Sequence, residues 1–210
     1  MNIFEREQID FANYNLIAGV DEAGRGPLAG PLVVAAVILK HNSFHEKLND
    51  SKKLSEKQRE VLYTWVIENS LAFIIKIISA KEIDEMNILQ ATLFGMKMCV
   101  DDLAIQPDMV LFDGNQIPRG VDIACKSVIK GDALYASIAA ASILAKVTRD
   151  RIMIELDKKY PIYGFKTHKG YPTQKHRELI KVYGVTEEHR MSYSPCNSPS
   201  IYGGGRGEER

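Results

Sequence analysis

Two apolar runs near the start of the chain, Leu16–Val20 and Leu32–Leu39, constrain its fold more than any other feature. The second is rich in β-branched residues and carries no polar side chain, the pattern of a strand buried on both faces. Between them stand Asp21-Glu22 and then Gly24-Arg25-Gly26-Pro27, a turn with unusual backbone demands. Two adjacent charges directly after an apolar strand have no obvious structural role. Strand periodicity aims them at opposite faces. For both to serve one site the chain must leave regular strand geometry there, and Gly24 permits that.

The rest of the pattern alternates strands and helices. Ser55 with Gln58 makes a capping box for a helix reaching about Asn69, and Ser79 with Glu82 makes another. Leu71–Ile78, Met109–Phe112 and Ala124–Ile129 read as strands, and Asn87 opens a helix to about Leu103. A long helix is expected from about Ala133 to Lys158, rich in Ala and Ser where it lies close to a sheet, and a last one over Thr173–Tyr183. The order is β-β-α-β-α-β-β-α-α. It gives an α/β fold with a mixed five-stranded sheet flanked by helices and a C-terminal helical extension. One domain over residues 1–192 is expected, with a flexible Gly- and Pro-containing tail over 193–210.

Composition narrows the setting. The chain has 210 residues with 45% apolar and 26% charged, which excludes whole-chain disorder. The longest apolar stretch, Leu28–Leu39, is interrupted by Gly30 and Pro31 and falls short of the roughly 18 residues of a membrane span. No apolar segment follows a basic start, so no secretory leader is expected. Cys99, Cys125 and Cys196 have no CxxC spacing, which suggests neither a disulfide framework nor a zinc site. A reduced, cytoplasmic protein that does not engage membranes, and a monomer, is the expectation.

The 27 basic and 27 acidic residues sum to zero, but unevenly. Residues 1–50 and 101–145 each carry a net −3, whereas 146–181 hold 10 basic and 4 acidic residues, a net +6. That stretch reads either as a solvated helical face or as a footprint for a polyanion beside a carboxylate cluster.

Asp21, Asp113 and Asp132 each follow an apolar strand or open a helix next to a glycine. Strand ends in an α/β sheet line the crevice where ligands bind. Carboxylates converging there repel one another unless cations lie between them. Oxygen donors without nearby His or Cys favour Mg²⁺ or Mn²⁺ over zinc. Each aspartate also has a structural reading: Asp113 in Asp-Gly-Asn as a turn residue, Asp132 after Gly131 as a helix N-cap. Gly24-Arg25-Gly26 lacks the Lys-Ser/Thr of a P-loop, is not GxGxxG and precedes a strand, which excludes an ATP or dinucleotide site. Its backbone N–H groups could still grip a phosphate or a ribose hydroxyl.

These segments resemble the signature of the ribonuclease HII family. The match comprises GVDEAGRGPLAGP at Gly19–Pro31, DSKKLS at Asp50–Ser55, FDGN at Phe112–Asn115, KGD at Lys130–Asp132, AASILAKVTRD at Ala140–Asp150 and HKGYPT at His168–Thr173. The segments occur in family order over most of the chain. The related ribonuclease HIII has a different glycine loop and an extra N-terminal domain.

The resemblance implies an RNase H-like fold and hydrolysis of the RNA strand of RNA·DNA hybrids. It also implies cutting 5′ of ribonucleotides embedded in duplex DNA. By resemblance, Asp21, Glu22, Asp113 and Asp132 match four catalytic, metal-binding carboxylates. Gly24, Arg25 and Gly26 match a loop that senses the 2′-hydroxyl, and Tyr171 matches a tyrosine that stacks on the sugar at the scissile junction. On its own, Tyr171 also reads as a half-buried packing aromatic. Two divalent ions, Mn²⁺ or Mg²⁺, would act together, with Asp21 bridging them, Glu22 and Asp113 on one and Asp132 on the other. Products would carry a 5′-phosphate and a 3′-hydroxyl. Lys146 and Arg149 share a helix face at i and i+3 and, with Lys52 and Lys53, are candidates for phosphate contacts away from the cleaved bond. The competing readings are another metal-dependent nuclease of the same fold, or a non-catalytic hybrid-binding module.

Overall fold

A computed structural model describes residues 1–48 and 54–198. Five strands form one mixed sheet: β1 (Ile17–Ala23), β2 (Leu32–Leu39), β3 (Ser70–Ile78), β4 (Met109–Asp113) and β5 (Ala124–Val128), in the order β3-β2-β1-β4-β5. The helices are α1 (Ile3–Asp10), α2 (Glu56–Asn69), α3 (Ala80–Met86), α4 (Ile88–Asp101), α5 (Ala136–Lys159), α6 (Phe165–His168) and α7 (Gln174–Tyr183). The mixed sheet with flanking helices is the architecture expected from the sequence.

Local chemistry accounts for most element starts. The expected capping boxes form at Ser55 with Gln58 and Ser79 with Glu82, and a third at Asn2 with Glu5 begins α1, a helix the apolar pattern did not announce. Thr173 caps α7 by accepting from the His176 N–H. Seven of the eight residues of β2 are buried, as its unbroken apolar sequence requires.

The chain divides into two compact units. The first comprises Met1–Ala23, Val33–Ile77 and Thr92–Thr148. In it β1 runs antiparallel to β2 and parallel to β4, and β4 runs parallel to β5. The N-terminus of α5 lies directly on β1. A Cβ at Gly19 would collide with the backbone of Ser137 and Ile138, so only glycine permits this approach. Glu7 of α1 reaches the same point, its Oε2 accepting from the Ser137 N–H at 2.9 Å and the Ser137 hydroxyl at 2.7 Å. Tyr135 donates to Asp10 of the same helix at 2.8 Å.

The second unit comprises Gly24–Leu32, Ile78–Ala91 and Arg149–Arg210. Its core gathers Leu28, Ala29, Met153, Tyr163, Phe165, Ile180 and Cys196. Asp84 of α3 ties down the segment after Arg190, accepting from the backbone N–H groups of Met191 and Ser192 at 2.7 and 2.9 Å.

Candidate active site

In the first unit the ladder register brings two of the expected residues level. Val20 of β1 pairs with Phe112 of the parallel neighbour β4, so the next residues along, Asp21 and Asp113, lie side by side where that pairing ends; Asp113 closes β4, whereas β1 runs on to Ala23. Parallel strands at about 4.8 Å spacing aim such a pair at the same face. Asp21 is 5% exposed. Burial, followed by the charges of Glu22 and Asp113, pushes its carboxyl well above the ordinary carboxylate range, against a hydrogen bond from Ser142. The Glu22 N–H donates to Asp21 Oδ1 at 2.7 Å.

Regular strand geometry persists through this point, contrary to expectation. Asp21 pairs with Ala35, Glu22 with Val34 and Ala23 with Val33, so the chain turns only at Gly24. Glu22 nonetheless acts on Asp21 electrostatically, because neighbouring carboxylates on one strand remain within Coulomb range whichever face each takes.

Asp113 is tied to the segment that carries Asp132. Its Oδ1 accepts from the Gly131 N–H at 2.7 Å, while Gly114 turns the chain at φ +104°. Asp132, 4% exposed, lies in a short 3₁₀ turn, Gly131–Ala133, ahead of α5. The N-cap reading of Asp132 does not hold for α5, which begins only at Ala136, four residues on. The Asp-Gly-Asn turn and the ligand reading of Asp113 coexist, since the turn follows the carboxylate rather than using it. Among the described residues no three His, Cys, Asp or Glu side chains are drawn into a closed metal-holding set. The donors themselves, all carboxylate oxygens, suit a hard divalent ion.

The second unit holds Gly24, Arg25, Gly26 and Tyr171. Gly24 has φ +105°, and a Cβ there would strike the Arg149 side chain and the Pro31 carbonyl. Two buried guanidinium groups fix the loop. Arg149 donates to the carbonyls of Pro31 (2.9 Å), Lys169 (2.9 Å) and Ala29 (3.1 Å). Arg190 donates to those of Gly24 (2.7 Å), Gly30 (2.9 Å) and Arg25 (3.0 Å). Backbone bonds from Leu28 N to Gly170 O and from Arg190 N to Leu28 O, both 2.8 Å, add to the clamp. What remains outside is the business end: Arg25 and Gly26 are exposed, and Tyr171, 43% exposed, stands with its ring 3.7 Å from where a Gly26 Cβ would be.

One expected phosphate contact is corrected. Arg149 is 1% exposed and holds backbone carbonyls, so it has no surface to offer a phosphate. Burial, then the nearby Arg190 charge, lowers it to about 10, still fully charged at neutral pH. Lys146, three residues earlier, is half-buried. The i, i+3 spacing identified a shared helix side but not its solvent exposure. Lys52 and Lys53 lie outside the described residues. Sequence reasoning missed Arg190, His176 and His189, all buried in the second unit; a charged residue inside the short His189-Arg190 pair after α7 was the only available signal.

The family model described as Ribonuclease HII matches residues 18–196. The chain belongs to the ribonuclease HII family. A ribonuclease HII of Acinetobacter baylyi is 57% identical over 180 residues, covering 86% of this chain and 95% of that protein. A ribonuclease HII of Acetivibrio thermocellus is 53% identical over 194 residues, covering 92% of this chain and 75% of the relative. Among solved structures, the ribonuclease H2 of Pyrococcus horikoshii OT3 superposes with a TM-score of 0.76 at 29% identity, covering 87% of this chain and 96% of that one. The ribonuclease HII match begins at residue 18, one residue into β1, so α1 with Glu7 lies outside it.

Proposed function

We propose that this chain hydrolyses the RNA strand of RNA·DNA hybrids and cuts 5′ of single ribonucleotides embedded in duplex DNA. Membership of the ribonuclease HII family makes it an endoribonuclease. The observation that carries the finer reading is the parallel register that sets Asp21 level with Asp113, with Asp21 buried under the charge of its acidic neighbours. A buried acidic cluster is stable at neutral pH either by taking up protons or by taking up a cation.

In this reading Asp21, Glu22, Asp113 and Asp132 hold two divalent cations, Mg²⁺ or Mn²⁺. Such ions, when bound, activate the attacking water and stabilise charge on the leaving oxygen, giving 5′-phosphate and 3′-hydroxyl ends. The protein's own contribution is to hold the donors. Asp21 is fixed by the sheet ladder, and Asp113 by the Gly131 N–H.

In the second unit Gly24, Arg25 and Gly26 read the 2′-hydroxyl, the one group that marks a ribose in a duplex backbone, and Tyr171 packs on the sugar. The near-complete clamping of the loop by Arg149 and Arg190 supports this role, because a reader of one hydroxyl needs a backbone that does not move. Lys146 contributes a phosphate contact that carries no sequence information.

Cleavage of a duplex with one ribonucleotide, compared with an all-DNA duplex of the same sequence, tests the proposal. Metal-dependent cutting of the first alone is the expected result. Equal cutting of both would favour a general nuclease of the same fold.

A further inference from the structure

Behind Tyr171 lies a buried pair of histidines that the hydrolysis does not use. His176 is 0% and His189 2% exposed. Their Nε2 atoms face each other at 3.1 Å, which requires that one of them carries a proton and the other does not. The backbone at both ends decides which. The Thr186 N–H points at His189 Nδ1 from 3.0 Å, and an N–H can only donate, so His189 Nδ1 is bare and its proton is on Nε2. The Tyr171 carbonyl faces His176 Nδ1 at 3.0 Å, and a carbonyl can only accept, so His176 carries its proton on Nδ1. The bonds therefore run one way, from Thr186 N–H to His189, from His189 to His176, and from His176 to the Tyr171 carbonyl. A proton added to His176 Nε2 would face a donor, and one added to His189 Nδ1 would meet the Thr186 N–H, with the Thr186 hydroxyl at 3.0 Å as its one acceptor. Burial, with the companion histidines, holds both below the ordinary range, His176 at about 4 and His189 at about 3.

The neighbouring residue works on the other side of the same loop. Arg190 grips the carbonyls of Gly24 and Arg25, and Ala29 bridges to His189 through backbone. One dipeptide, His189-Arg190, thus reaches Tyr171 through His176 and the glycine turn through its guanidinium. We infer that His189-Arg190 sets the width of the slot between the Tyr171 ring and the Gly24–Gly26 turn, and that His176 and His189 are positioning residues for the selection of ribose over deoxyribose. The inference rests on the proposed reading of Gly24–Gly26 and Tyr171 as the ribose-recognising elements.

The slot has little tolerance. Gly26 and the Tyr171 ring are already so close that one methyl group would fill the gap to van der Waals contact. A Tyr171 backbone released by a few tenths of an ångström would change how its ring and the turn together meet a sugar laid across them. His168 adds a second support: it stacks on His176 at 4.4 Å and accepts from the Gly170 N–H at 3.2 Å.

Two measurements test the inference together. The first is the ¹⁵N spectrum of the histidine side chains in the intact protein, which reports where each ring proton resides without any substrate. The expected pattern is Nδ1–H on His176 and Nε2–H on His189; a proton on His176 Nε2 would overturn the relay. The second is the affinity, in EDTA, for a duplex with one ribonucleotide against an all-DNA duplex. His189→Leu is expected to cut that preference about tenfold, the scale of one lost stacking contact. His189→Gln, which keeps an N–H donor where Nε2 stood, is expected to retain it. Equal loss in both variants, or an intact preference in a folded His189→Leu protein, contradicts the inference. If the Leu variant does not fold, the Gln variant and the wild-type spectrum still decide. Tyr171→Ala separates the two layers: if it abolishes the preference while His189→Leu does not, only the relay fails. If neither change affects the preference, the assignment of Tyr171 fails as well.

Discussion

The two units bury charges that are mostly of opposite sign, and handle them differently. In the first, the buried groups are acids. Asp21 is pushed well above the ordinary carboxylate range, and the half-buried Glu7 up to about 7. In the second they are, Asp150 apart, bases: Arg149 is lowered to about 10, Arg190 is also lowered, and His176 and His189 are lowered to about 4 and about 3. The arginines are satisfied inside the protein, because backbone carbonyls surround both guanidinium groups. Asp21 has as neighbours two more carboxylates, which no carbonyl can compensate. Buried charge that the chain satisfies for itself is architecture; buried charge raised by its own kind calls for a ligand.

The strongest break in that comparison is Asp21→Asn. It removes a donor and a buried charge while keeping the shape, so cleavage of a one-ribonucleotide duplex is expected to fall by at least about 10³-fold. Thermal melting in EDTA should show a Tm no lower than wild type, because repulsion with Glu22 and Asp113 is relieved. The mirror experiment is Arg190→Met, which strips the Gly24 and Gly30 carbonyls of their guanidinium donor and leaves the Arg25 carbonyl with the Tyr193 hydroxyl alone. A loss of about 3–5 kcal/mol in urea unfolding is expected, the cost of breaking a buried charged network. Asp21→Asn and Arg190→Met should therefore separate: one loses activity and keeps stability, the other loses stability first.

The pH dependence of stability sharpens the contrast, since the two regions slope in opposite directions. Glu7 is raised from 4.5 to about 7, so the folded chain holds its proton more tightly than the unfolded one. Its effect on stability declines as pH rises from about 4.5 to about 7. The histidines are lowered from 6.5 to about 4 and about 3, so the unfolded chain takes up protons first, and stability falls as pH drops from about 6.5 toward 3. Glu7→Gln should reduce the first slope, to which the raised Asp21 also contributes, and leave the second, read from denaturant midpoints at several pH values. The smallest expected effect belongs to Lys146→Ala, which should reduce the salt slope of duplex binding by about one unit with no change in ribose preference.

What the sequence disclosed depended on how local its causes were. Strand β2, most of β1, the capping boxes at Ser55 and Ser79 and the strand-end position of Asp113 rest on neighbours in the chain, and each was legible, whereas β1 carries Asp21 and Glu22 inside it rather than after it. Helix α1 buries only Phe4, too little for an apolar stripe to announce it. Arg149 was read as a surface residue because helical spacing reports a direction, not what fills it; what fills it is Pro31, Ala29 and Lys169 backbone. The grip of Arg190 on Gly30 spans 160 residues, and its partners are carbonyls that every residue has, so no side-chain pattern marks it. The resemblance supplied the roles of Gly24–Gly26 and Tyr171, whereas the clamp and relay behind them came from geometry alone.

The central claim is that the acidic cluster around Asp21 holds divalent cations for cutting at ribonucleotides. Its most direct test is one time course in Mg²⁺ or Mn²⁺ on an end-labelled DNA duplex containing a single ribonucleotide, run with wild type and Asp21→Asn. One cut 5′ of the ribonucleotide by the wild type, leaving 5′-phosphate and 3′-hydroxyl ends, and none by the variant, is the expected result. Cutting by a folded Asp21→Asn protein at a rate near that of wild type would contradict it.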